Sequence, residues 1–254
     1  KNLLAAVVLG ALALAVARRT QRSAPTTTSQ RIRLVAVGII GGAVPFVLFF
    51  EGLARASSVQ AAFIHKTLVI WVALLAVPLL REKLNAFHVA AIGLLVAGEA
   101  AMTGVDAISI GTGEIMILAA TLLWAVEVVI AKTLLRDLAA STVAAARMGI
   151  GSIVLVSWTL VSGGGNGITA LPPSAWMWVA VTGLALTAYV GTWCLALRRA
   201  QAVDVSAVLV IGALVTAALR TGFTGVAAPD PLGLAFMALG GIAAVLAMVR
   251  PTTR

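Results

Sequence analysis

The chain has 254 residues, of which 61% are hydrophobic and 11% charged, and its mean hydropathy is +1.08. Soluble globular domains carry about 25% charged residues, so a separate water-soluble core is excluded and lipid is the solvent for most of the chain. The net charge of +9 comes from Lys and Arg at the ends of apolar runs, which argues for membrane topology and against nucleic acid as a partner.

A membrane span needs roughly 20 mainly apolar residues. Nine runs qualify, over approximately 2–17, 33–54, 58–80, 84–104, 113–135, 142–162, 175–198, 203–223 and 231–249. The first is followed by Arg18, Arg19 and Arg22. A basic flank behind the apolar stretch marks a cytoplasmic exit and not a signal-peptide cleavage site, so the expectation is a true span in a chain whose N-terminus is missing. The second run holds Pro45, which frees a carbonyl and bends a helix. The third holds His65 and Lys66, the fourth Glu99, and the fifth Trp124 and Glu127. Loop chemistry separates the runs at Arg18 to Arg33, Arg81-Glu82-Lys83, Gly104 to Thr112, Gly163 to Gly167, Pro172-Pro173 and Pro229-Asp230-Pro231. Cys194 lies within the seventh run and is the sole cysteine, so neither an intramolecular disulfide nor a paired thiolate metal site is available.

Once the runs alternate sides, one set of loops holds Arg18, Arg19, Arg22, Arg31, Arg33, Arg81, Lys83, Lys132, Arg136, Arg198, Arg199, Arg250 and Arg254. The other holds Lys1, Arg55 and Arg220 with Asp106, Glu114 and Asp230. By the positive-inside rule the first set, and with it the C-terminus, is cytoplasmic. Trp158, Trp176 and Trp178 then fall at outer ends, where an interfacial aromatic belt would place them.

Residues 35–60 resemble residues 179–204: Arg55 and Arg199, and likewise Val59 and Val203, stand 144 positions apart. Ala91-Ile92-Gly93 is echoed at Ala238-Leu239-Gly240. The fifth run has no partner upstream, so a five-helix unit occurring twice, with the first helix of the first copy absent, explains the pattern. An odd number of spans puts Arg55 outside and Arg199 inside, which makes the copies inverted, as in many secondary transporters. The expectation is an all-α integral membrane fold with about nine transmembrane helices drawn from a ten-helix inverted repeat. Residues 1–104 form the first repeat and 112–250 the second, within one membrane domain.

The segments Leu53-Ala54-Arg55-Ala56-Ser57-Ser58-Val59-Gln60-Ala61-Ala62, Ala73 to Leu84, Ile92-Gly93 to Ala97-Gly98, Leu123-Trp124-Ala125 and Arg147-Met148 resemble the EamA-like branch of the drug/metabolite transporter superfamily. The resemblance covers essentially the whole chain through small and apolar residues. It implies ten helices in two inverted repeats of five and export of amino acids or similar metabolites, with proton exchange as a coupling mode. The pair His65-Lys66 departs from a stretch that is usually uncharged in that family.

Ionisable residues inside spans are expensive and mark function by default. Lys66 lies about eight residues, or roughly 12 Å, into its span, with a structural ion pair or a snorkelled head group as the alternative role. Glu127 could balance Lys66 or Arg147, bind a coupling proton or meet a substrate ammonium. His65 points about 100° away from Lys66 around the helix and could titrate near neutrality or simply bond a neighbouring helix. Trp124 lies on the face of Glu127, and Tyr189, equivalent to Pro45 under the repeat, offers an aromatic wall with a polar tip. Lys66, Glu127, His65, Trp124 and Tyr189 form the expected substrate and ion site. Arg147 is expected to snorkel to the interface, while Glu51 and Glu114 are expected to be solvated near outer ends.

The small-residue pairs Gly93/Ala97 and Gly240/Ala244 let helices approach closely, inside the chain or at a homodimer face. The glycine-rich segments lack the Lys-Ser/Thr of a phosphate loop, and nothing in the chain calls for a cofactor, a metal or an enzyme's catalytic group. The expected function is secondary active transport of a small polar metabolite across the cytoplasmic membrane by alternating access, with membrane lipid and a small-molecule substrate as partners. A scaffold or channel-like protein is the alternative, and a lipid-modifying enzyme a weaker one.

Overall fold

The computed structural model describes residues 1–19, 25, 27–103, 110–163, 172–224 and 230–249. Arg22, Asp106, Arg250, Arg254, Pro229 and most of the glycine-rich segment at 163–167 lie outside the described residues. Among the described residues 88% are helical and none is in a strand. The physical reason is that backbone N–H and C=O groups find no partners in hydrocarbon, so an apolar run must close its hydrogen bonds within itself.

In chain order the helices are α1 (Asn2–Arg19), α2 (Thr28–Gly42), α3 (Val44–Leu53), α4 (Ser58–Lys66), α5 (Leu68–Leu80), α6 (Ala86–Thr103), α7 (Thr112–Leu134), α8 (Ala140–Val161), α9 (Pro173–Arg199), α10 (Ala202–Thr224) and α11 (Pro231–Val249). Among the described residues seven stretches are long and apolar enough to cross a membrane: Thr28–Leu53, Ser58–Leu80, Thr112–Leu134, Ala140–Val161, Pro173–Arg199, Ala202–Phe223 and Pro231–Val249. Shorter apolar helices cover Asn2–Arg18 and Ala86–Met102. Every run read from the sequence falls on one of these, with two of the runs divided into a pair of helices.

The first division is at Ala43, whose φ of −128° and ψ of −73° leave the helical region. Pro45 follows two residues later and has no N–H to return to the preceding turn. The second is at Thr67, directly after Lys66, where the Thr67 N–H is shared between the carbonyls of Phe63 at 3.3 Å and Ile64 at 3.2 Å. The Thr67 hydroxyl donates to the Ile64 carbonyl at 2.6 Å and accepts from the Trp71 indole N–H at 3.1 Å. Side-chain bonding of this kind competes with the regular ladder and tightens the turn.

Polar residues set the starts of several helices. Thr27 and Gln30 form a reciprocal capping box at α2, and the Ser57 hydroxyl accepts the Gln60 N–H at 3.1 Å at α4. At the other end of that span α5 stops at Arg81, a non-glycine residue in the left-handed region with φ 58° and ψ 35°.

The chain divides into two compact units, Lys1–Val47 with Ile130–Arg199 and Leu48–Val129 with Ala200–Arg254. In the first, α8 packs on α1, α2 and α9, and α1 packs on α9. In the second, α6 packs on α11, α10 and α4, and α10 packs on α5 and α11. The core of the second unit gathers Val69, Leu95, Val210, Met237 and Ala244.

Without a hydrophobic force between helices in lipid, association depends on close packing, which small residues permit. In the first unit α2 and α8 cross at Gly42 and Gly151: a Cβ on Gly151 would lie 2.5 Å from the Gly42 carbonyl oxygen and 2.7 Å from its Cα. In the second, α6 and α11 cross at Gly98 and Gly233, where a Cβ on either would meet the other's carbonyl oxygen at 3.0 Å. Gly240 of α11 presses against Leu95 and Ala244 is buried, so that small-residue pair is internal. Gly93 has open space around its Cα, and Ala97 is exposed within its unit.

The crossing at Gly151 yields a paired test on one helix. Gly151→Val should lower the stability of the solubilised protein by at least about 1–3 kcal/mol through overpacking against backbone. Gly149→Val, at a position with nothing within 4 Å, should change it far less. Thermal unfolding followed by tryptophan fluorescence measures both.

Candidate functional site

The second unit gathers ionisable and aromatic side chains around the break at Thr67. Lys66 ends α4 and is half-buried. Its ammonium donates to the Leu209 carbonyl of α10 at 3.2 Å. Glu99 of α6, 5% exposed, is the acidic side chain whose charge acts on Lys66. Lys66 is therefore bonded by a backbone carbonyl of α10 and feels the charge of a carboxylate on α6.

His65 points the other way, as adjacent residues on a helix must. Its ring meets Trp124 edge-on, with centroids 4.9 Å apart, and Phe49 edge-on at 5.5 Å. Phe49 and Trp124 are 5.7 Å apart at a tilt of 55°, so three rings from α3, α4 and α7 pack mutually in the geometry aromatic quadrupoles favour. His65 Nδ1 is buried with no hydrogen-bond partner among the described residues. Glu127, 1% exposed, lies one turn beyond Trp124 on α7, so a buried carboxylate and a buried indole share one stripe of that helix.

Of the residues expected from sequence, Lys66, His65, Trp124 and Glu127 all lie in this unit, and His65 and Trp124 are in contact. Tyr189 belongs to α9 of the first unit and is 43% exposed. Two residues that the sequence left unassigned join the group. Glu99 does so through the charge it exerts on Lys66 from α6, and Phe49 by completing the ring cluster. Glu51 and Arg55 form an ion pair at 2.7 Å with both side chains half exposed, consistent with solvation.

Two expectations are corrected. Glu114 is buried and not solvated, because its carboxylate accepts the Gly111 N–H at 3.0 Å at the start of α7, where a helix N-terminus favours negative charge. Arg147 does not snorkel out of its unit. It is 5% exposed, and its guanidinium lies 5.5 Å from the ring centroid of Trp193, a distance at which a cation is attracted to an aromatic face.

The model of the EamA-like transporter family matches the chain over residues 1–104 and 111–249. The chain belongs to the EamA-like transporter family. This EamA-like protein is therefore a multi-pass membrane transporter of the drug/metabolite kind. Its fold is similar to that of a protein of known crystal structure at 19% sequence identity, with a TM-score of 0.71 over 97% of this chain and 86% of that one. No curated protein sequence matches it.

The Lys66–Glu99 arrangement predicts non-additivity. Lys66→Met and Glu99→Gln each remove one member of a charge pair and leave the other in a low-dielectric setting. The double variant should thus be more stable than the sum of the single losses implies, with a coupling of about 0.5–3 kcal/mol. Thermal unfolding of the four proteins in one detergent measures the cycle, and additive losses would show that the two charges act separately.

Proposed function

We propose that this EamA-like transporter is a secondary active carrier that exports a small polar metabolite, amino-acid-like in chemistry, across the cytoplasmic membrane by alternating access. The observation that carries this reading is Lys66: an ammonium in an apolar helical unit, beside a divided helix, held by the Leu209 carbonyl at 3.2 Å and facing Glu99. Discontinuous helices with exposed backbone dipoles are a recurrent way for transporters to bind charged solutes. A substrate carboxylate would replace the carbonyl as the partner of Lys66, and a substrate ammonium would meet Glu99 or Glu127. His65 and Trp124 would bound the apolar part of the solute. A buried carboxylate such as Glu127 suits exchange of a coupling proton.

Packing supports the inverted repeat read from the sequence. The pairs α1–α8, α5–α10 and α6–α11 join elements that the repeat makes equivalent, and α2–α8 is matched by α1–α9. The excess of Lys and Arg on one set of loops supports a cytoplasmic C-terminus. The outward-facing pair Gly93/Ala97 is compatible with a homodimer.

The test is flux of labelled amino acids and related metabolites in proteoliposomes. Lys66→Leu should lower saturable flux about tenfold or more, because a hydrogen bond to a charged group contributes roughly 1.5–3 kcal/mol. Lys66→Arg should retain part of the flux. Flux unchanged in a folded Lys66→Leu protein would remove this residue from the site.

A further inference from the structure

Among the described residues, His65 Nδ1 is the one buried side-chain nitrogen without a hydrogen-bond partner. The span Ser58–Leu80 places it about 10 Å along the helix from one end and about 22 Å from the other. An imidazole is too short to carry its nitrogens that far to an interface, and hydrocarbon offers them no partner. A buried polar atom left unmatched carries its full desolvation cost, so in a native protein it calls for an explanation.

Packing explains the ring but not the nitrogen. Trp124 and Phe49 meet the imidazole edge-on at 4.9 Å and 5.5 Å, and a phenylalanine at this position would pack on both rings as well. The His65 side chain is only partly buried, and Lys66 follows it directly, with its ammonium on the Leu209 carbonyl at 3.2 Å. A neutral imidazole bears one N–H and one bare nitrogen, and the partner decides which is which. A group that both donates and accepts therefore satisfies Nδ1 in either tautomer. Half a turn about the Cβ–Cγ bond preserves the ring plane and its contacts while exchanging Nδ1 with Cδ2, so the nitrogen need not stay on the buried edge when a solute supplies a partner.

We infer that His65 selects, among amino-acid-like solutes, those whose side chain bears a hydroxyl or carboxamide, by pairing that group with its ring nitrogen. The inference rests on the carrier site proposed above, in which Lys66 takes the solute carboxylate, and adds a side-chain preference to it. Because Phe49 and Trp124 pack around the same imidazole, the preferred side chain combines a short apolar stem with one polar tip, as that of threonine does.

The probes are L-threonine and L-valine, which have nearly the same shape and differ by a hydroxyl in place of a methyl group. Tryptophan fluorescence titration of the full chain in lipid nanodiscs gives both dissociation constants, since Trp124 lies against the His65 ring. The quantity to read is the ratio of the valine constant to the threonine constant, in which the differing hydration of the two solutes cancels between variants. His65→Phe keeps a ring and removes both nitrogens, and should lower that ratio about fivefold, the size of one neutral hydrogen bond. His65→Asn, whose amide overlies the position of Nδ1, should keep the greater part of the ratio. A ratio unchanged in His65→Phe, or one that falls as far in His65→Asn, would overturn the inference. So would the absence of saturable binding of either amino acid to the wild-type protein. Thermal unfolding without solute separates selection from structure: His65→Phe should be no less stable than wild type, and a loss of stability would show that the nitrogen is matched within the protein. Binding does not require transport, so a finding of passive flux would sink the carrier and leave the preference, whereas binding without the preference would leave the carrier.

Discussion

The constraint on which the rest of this molecule depends is that a polar group in an apolar helical bundle must close on a partner within the protein. Backbone groups do so by forming helices, which is why the described residues are helical almost throughout. Side chains do so by reaching neighbouring helices. The Lys66 ammonium takes the Leu209 carbonyl, Lys132 takes the Leu197 carbonyl at 2.6 Å, and His88 takes Asp204. Each bond joins elements far apart in sequence, so the few polar residues fix the register in which interchangeable apolar helices pack.

Close packing is the complementary requirement. The glycine crossings at Gly42/Gly151 and Gly98/Gly233 bring backbones together, and the polar bonds bridge spans that such crossings allow to approach. Function is drawn from the same constraint. Lys66 is held by the Leu209 carbonyl, and in the function we propose a solute able to offer a carboxylate competes with that carbonyl for it. Lys66 directly precedes the division at Thr67, where the regular ladder is tightened by the Thr67 hydroxyl and Trp71.

Much of the fold is legible in the sequence because hydropathy is a one-dimensional signal. The run 231–249 coincides with α11, and 203–223 differs from α10 by a residue at each end. Pro45 announces the bend that occurs at Ala43. The break at Thr67 has no such mark, since a threonine hydroxyl bonding back to Ile64 depends on local geometry. Partner identity is the least legible part. Glu127 and Glu99 are both acidic residues inside spans, and linear spacing does not say which of α6 or α7 turns its carboxylate toward Lys66. Arg147 has a stem long enough to snorkel, but Trp193 of α9 gives it a ring to lie over. His88 belongs to no motif, yet Asp204, 116 positions away, completes a buried pair with it.

The central claim is that the Lys66 region serves a carrier that exposes its site to one side at a time. Trans-stimulation measures this directly: unlabelled amino acid inside proteoliposomes should accelerate entry of labelled amino acid from outside, because a loaded carrier returns faster than an empty one. Acceleration that saturates with the internal solute is the predicted result. Flux that rises linearly with concentration and ignores the trans solute would contradict alternating access and mark the protein as a passive pore.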